Sequence, residues 1–117
     1  MPTQMNNELG KIVYQDKVLA KIACESAMES YGIVGLVAQN PKDGLYELLG
    51  WENMTRGVNV RILEDQSVDV SISVFIDYGV RIAVVCANMI EKIRYNIETK
   101  TAVKVSNIDV IVQGIKA

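Results

Sequence analysis

The residue types that could do chemistry are few in this chain, and their spacing limits them further. Histidine is absent from the 117 residues. That removes His-based triads, His-ligated zinc and the commonest general base. Cys24 and Cys86 are the only cysteines, far apart and without a CxxC spacing. They read as two buried free thiols; a disulfide or redox pair is the other reading. Asp65 and Asp69 flank a turn and could together hold a cation, but a polar turn accounts for both. Asp16, Glu25 and Glu29 fall along one helix beside Lys17 and Lys21, and a solvated charged face explains that pattern. A paired-carboxylate hydrolase would need one carboxyl in an apolar pocket, and no stretch predicts such a pocket. Asp77-Tyr78-Gly79 sits at a strand-to-helix junction, where α/β sheets often hold ligands. The plainer reading is architectural: Gly79 permits a turn and Tyr78 packs over the sheet edge. Tyr31-Gly32 and Val34-Gly35 lack phosphate-loop spacing and precede a strand, so they read as turn and close packing. The expectation is therefore no catalytic residue, no metal ligand and no cofactor site.

Composition agrees. Half the residues are hydrophobic and 22% are charged, which suits one folded domain over 1–117. A net charge of -2 gives no electrostatic case for nucleic acid. No apolar run approaches the ~20 residues that span a bilayer, and the first residues lack a signal peptide's apolar centre. A cytoplasmic protein is expected.

The elements follow from periodicity. The organising stretch is Val58 to Val80. Val58, Val60 and Ile62, then Val68, Val70, Ile72, Val74 and Ile76, alternate with other residues across Glu64-Asp65-Gln66. That predicts a β-hairpin with one apolar face. Residues 1–9 read as a loose terminus and Gly10 to Tyr14 as an edge strand. A helix is predicted from Asp16 to Tyr31, with Val18, Leu19, Ile22, Ala23, Ser26 and Ala27 inward and Gly32 as its terminating glycine. Ile33 to Ala38 reads as a strand and Asn40 to Gly44 as a turn. Leu45 to Trp51 reads as one or two helical turns in a long loop closing at Gly57. A helix from Arg81 to Lys100 carries the stripe Ile82, Val85, Cys86, Met89, Ile90, Ile93 and Ile97, and a last strand runs from Val103 to Ile115. The predicted fold is α+β, a mixed sheet with both helices on one face and a right-handed parallel crossover. The other sheet face would carry Leu63, Phe75, Ile111 and Ile115. An exposed apolar patch there suggests a homo-oligomer or partner contact. Leu63, Phe75, Ile111, Leu45 and Trp51 are the candidate interaction residues.

Six segments, in order, carry a resemblance. They are GKIVYQDKVLAKIA from Gly10, YGIVGL from Tyr31, KDGLYELL from Lys42, RGVNVR from Arg56, VDVSISVFIDYGVRI from Val68 and VSNIDVIVQGI from Val105. Together they resemble the alkaline shock protein, or envelope stress response, family of Gram-positive bacteria, in its short single-domain form. The resemblance implies a cytoplasmic, non-enzymatic scaffold in cell-envelope stress homeostasis that self-associates and meets a partner. That partner would be a membrane-anchored protein. The alternative implied is an accessory role beside a fatty-acid kinase of the dihydroxyacetone-kinase type. No catalytic residues come with the family. One departure stands out: Thr101-Ala102 replaces the family's Thr-Gly after the second helix. Alanine disfavours a left-handed cap, so another conformation is expected there.

Overall fold

The computed structural model describes residues 3–7, 10–38 and 48–116. Its order is β1 (Thr3–Asn7), β2 (Gly10–Tyr14), α1 (Asp16–Met28), β3 (Ile33–Leu36), a 3-10 helix (Trp51–Gly57), β4 (Val58–Ile62), β5 (Val68–Asp77), α2 (Ile82–Thr101) and β6 (Val105–Lys116). This is the α+β architecture expected, a mixed sheet with two helices.

β5 is the axis of the sheet. Val68, Val70, Ile72, Val74 and Ile76 each expose 0% of their surface. β6 runs parallel to β5 along its whole length, from Val68 to Asp77. The other edge of β5 is shared: β4 pairs antiparallel with Val68 to Ile72, and β3 antiparallel with Val74 to Ile76. The sheet is thus three strands wide, with β3 and β4 end to end.

Both helices cover the face that carries these valines and isoleucines. Val85, Met89, Ile93 and Ile97 of α2 are buried with Leu19, Ala23, Cys24 and Ala27 of α1 in one cluster. Small residues on α1 let the helices approach closely. Asn96 Nδ2 donates to Ser26 Oγ (2.8 Å), which itself donates to the Ile22 carbonyl (2.8 Å). Lys92 Nζ meets Glu29 Oε2 at 3.3 Å.

Several boundaries differ from expectation for identifiable reasons. Thr3–Asn7 is a strand paired with β2 in a separate two-stranded sheet, so β2 is not an edge of the main sheet. The polar run TQMNN gives no alternation, and only backbone pairing defines it. α1 stops at Met28, capped by Glu29 in a right-handed conformation, while Gly32 takes its left-handed φ of 89° beyond the helix. The inward stripe of α1 is turned so that Ala20 and Cys24 are buried and Val18 is exposed.

Ala102 does adopt the left-handed cap, with φ 60°. Hydrogen bonds fix it there. Its own N–H donates to the Glu98 carbonyl, the Val103 N–H to Thr101 Oγ1, and the Val105 N–H to Glu98 Oε2. Enough fixed partners on either side hold one residue in a conformation it would not choose.

Candidate interaction surface

The outer face of the sheet, away from the helices, divides into two halves. Around the start of β5 it is polar. Arg61 stands opposite Asp69 in register, and Arg61 Nη2 reaches Asp69 Oδ2 at 2.7 Å. Asn107 Nδ2 donates to the other carboxylate oxygen of Asp69 at 3.4 Å. Asn59 and Asp109 are exposed beside them. Asp69 is therefore engaged with Arg61. Asp65 sits in the turn, where it accepts from both the Ser67 hydroxyl and the Ser67 N–H. These two bonds hold its carboxyl below the usual range. Asp65 thus serves the turn, whereas Asp69 lies within β5 and serves a cross-strand ion pair. Among the described residues no three of His, Cys, Asp and Glu gather as a metal group.

Towards the end of β5 the outer face is apolar, and glycines build it. Phe75 lies between Gly35 on β3 and Gly114 on β6. A Cβ on Gly114 would stand 3.2 Å from Phe75 Cε1, so the ring rests on bare backbone there. A Cβ on Gly35 would stand 3.0 Å from Leu48 Cδ2, so Leu48 covers the other glycine. Leu48 reaches this position through an isolated antiparallel bridge to Val37. Val37 and Ser73, whose parity also points outward, are fully buried. Ser73 Oγ has no hydrogen-bond partner. Ile111, opposite Ser73, remains 39% exposed.

The five candidate residues meet different fates. Phe75 and Ile111 share the apolar half. Leu63 does not join them: its N–H donates to the Ser67 carbonyl at the opposite end of the strand pair. From Ser67 to Phe75 is eight residue steps, roughly 26 Å at extended rise, so the three side chains do not form one patch. Ile115 also leaves the outer face. β6 has one extra residue, Gln113, between the pairs Val74–Val112 and Phe75–Gly114. That bulge reverses parity, and Ile115 pairs with Ile76 on the helix side. Leu45 lies outside the described residues. Trp51 opens the 3-10 helix; Leu48 is in a β-bridge, so helical turns do not fill the span from Leu48 to Trp51. Sequence reasoning assigned Gly35 to close packing but missed Gly114 and Leu48, and did not connect either glycine with Phe75. Their signal was available: two glycines in otherwise apolar strands mark close approach.

The strand-to-helix junction is open. Tyr78 is 77% exposed and does not pack over the sheet edge, and Tyr31 is 85% exposed. The Asp77 N–H donates to the Gly32 carbonyl (2.9 Å), which joins the two Tyr-Gly turns. Of the thiols, Cys24 is buried and Cys86 half-buried, and both are free. Burial, helped by the charge of Glu25, pushes the Cys24 thiol up to about 11; burial raises Cys86 as well. Neither is a poised nucleophile.

By architecture this is a two-layer α+β domain, two helices on one face of a mixed sheet and an apolar half on the other. Comparison identifies it further. The sequence pattern of the alkaline shock protein family, described as having a cell envelope-related function, matches residues 4–117, and the chain belongs to that family. It is 32% identical over 117 residues to the uncharacterized protein YloU of Bacillus subtilis (strain 168), covering 99% of this chain and 97% of that one. It is likewise 32% identical over 117 residues to the uncharacterized protein Spy1614 of Streptococcus pyogenes serotype M6, covering 99% and 96%. No solved structure matches. Among the described residues no helix is long and apolar enough to cross a membrane.

Proposed function

We propose that this envelope-related domain is a non-enzymatic interaction module. It associates with its own copies and meets a partner protein through the apolar half of the outer sheet face. The observation that carries this is Phe75, seated between Gly35 and Gly114 with Ile111 exposed beside it. A rigid sheet presenting an aromatic ring and a β-branched side chain next to a polar border is the anatomy of a contact core with its rim. The family resemblance supports a cytoplasmic place, held against the membrane through the partner.

Light scattering with circular dichroism tests it. Phe75→Glu and Ile111→Glu should each reduce the mass to that of a monomer with the spectrum unchanged, because a charge inside an apolar contact loses its hydration unpaired. A wild type that is monomeric at every concentration, together with a Phe75→Glu chain that unfolds, would make Phe75 a core residue and end the proposal. A pull-down from the native host then separates the implied partners, a membrane anchor or a fatty-acid kinase of the dihydroxyacetone-kinase type.

A further inference from the structure

Two features of this chain have no strand partner among the described residues. The first is the β1–β2 hairpin, whose five residue pairs run from Thr3–Tyr14 to Asn7–Gly10. It joins no other strand of the described residues, so each of its strands has an open edge. An isolated two-stranded hairpin is marginal in water and gains stability by adding strands. Ile12 and Val13 are consecutive, so they face opposite sides of the hairpin. They are 47% and 46% exposed.

The second is β6. Its twelve residues pair with β5 on one side, and no described strand occupies the other. Long open edges are usually blunted, because their free N–H and C=O groups template further pairing. Here the C-terminal half is apolar on both faces instead. Ile111 is exposed on the outer face; Val112 (37%) and Ile115 (51%) are exposed on the helix side, where the helices do not cover them.

We propose that the hairpin of one copy pairs through β2 with the open edge of β6 in a second copy, along Ile111 to Ile115, widening the sheet from three strands to five. The two-sided match carries this. A strand added to that edge meets apolar side chains above and below the sheet, and β2 offers one apolar residue to each side. The pairing joins two copies, because within one copy the hairpin and β6 are kept apart. α1 begins one residue after β2, and Tyr14, the last residue of β2, packs against the core. α1 packs along β4, which lies across β5 from β6. A hairpin anchored there cannot reach its own β6 without unpacking Tyr14.

This deepens the self-association proposed above but uses a different surface, and the test keeps the two apart. Amide exchange of the full chain is followed at low and high protein concentration, with mass measured by light scattering. In the wild type, exchange at alternate residues of Ile111 to Ile115 should slow by about tenfold or more as concentration rises. The double variant Ile12→Lys/Val13→Lys alters two exposed side chains, so its circular dichroism should be unchanged. It should lose both the concentration dependence and the higher mass. If it dissociates while Phe75→Glu remains associated, the hairpin contact stands and the outer-face reading fails. If the double variant keeps the wild-type mass, or if exchange of the segment is independent of concentration, the hairpin proposal is overturned.

Discussion

Gly32 and Gly79 carry nearly the same backbone conformation in very different surroundings, which makes a sharp test of what each does. Their φ values are 89° and 88°. A Cβ on Gly79 would meet nothing within 4 Å, whereas on Gly32 it would lie 2.8 Å from Val85 Cγ2 and 3.3 Å from Cγ1. Val85 is 4% exposed, and its branched side chain on a helix has one strongly preferred rotamer, so it cannot swing aside. Left-handed backbone disfavours alanine by about 1–2 kcal/mol. A less flexible unfolded chain returns about 0.4–1 kcal/mol. Gly79→Ala should therefore destabilise by at most about 1.5 kcal/mol. Gly32→Ala adds a methyl to a filled site, about 1–3 kcal/mol more, for a total of about 1–4.5 kcal/mol.

Urea unfolding followed by circular dichroism gives these values, provided the slope with denaturant is unchanged between variants. The crowding part is isolated by the pair Gly32→Ala/Val85→Ala. Removing the methyls that clash should make the double variant less damaged than the sum of the singles by about 1–3 kcal/mol. Equal losses at Gly32 and Gly79, or strict additivity of the pair, would refute the claim that Gly32 is required for close approach of the β3 turn to α2.

Two further outcomes can be measured on the same samples. Cys24 has its thiol raised from 9.0 to about 11, so in this range the unfolded chain loses the proton first. The stability Cys24 contributes is then whole below about pH 9 and is lost as pH rises towards 11, so the wild type should lose more stability than Cys24→Ala over that window; parallel curves would show the thiol is solvated. Ala102→Gly should stabilise by about 0.5–1 kcal/mol in urea, since Ala102 is exposed and gives up left-handed strain without losing packing; a loss of stability would mean that its hydrogen-bond frame depends on the methyl.

Much of the fold was legible because burial and periodicity coincide in it. β5 alternates strictly, and every inward residue from Val68 to Ile76 is fully buried. α2 spans the predicted turns because its stripe is continuous and wide. The turned stripe of α1 was less legible: alanines and a cysteine sit inward while Val18 does not, and small residues carry little hydrophobic signal. The candidate surface was half legible. Parity placed Phe75 and Ile111 on one face, but parity counts residues along a strand and says nothing of distance. It could not separate Leu63 from Phe75, since the strand order and the length of β5 decide that. Nor could it foresee the bulge at Gln113, which is a property of pairing between strands and has no period of its own.

That bulge also distinguishes the two proposed contacts in physical terms. Without the extra residue, Ile111 and Ile115 would share the outer face, and the helix side of this stretch of β6 would expose only Val112. With it, the segment offers Ile111 above the sheet and Val112 and Ile115 below. A partner lying flat on the outer face meets Phe75, Ile111 and the exposed Leu48, and needs Gly114, which lets the Phe75 ring lie down. A strand joining the edge is sandwiched between both sets, and needs the bulge. Ile111 belongs to both contacts, so its substitution cannot tell them apart. Phe75 and the Ile12–Val13 pair each belong to one, which is why the discriminating variants are placed there.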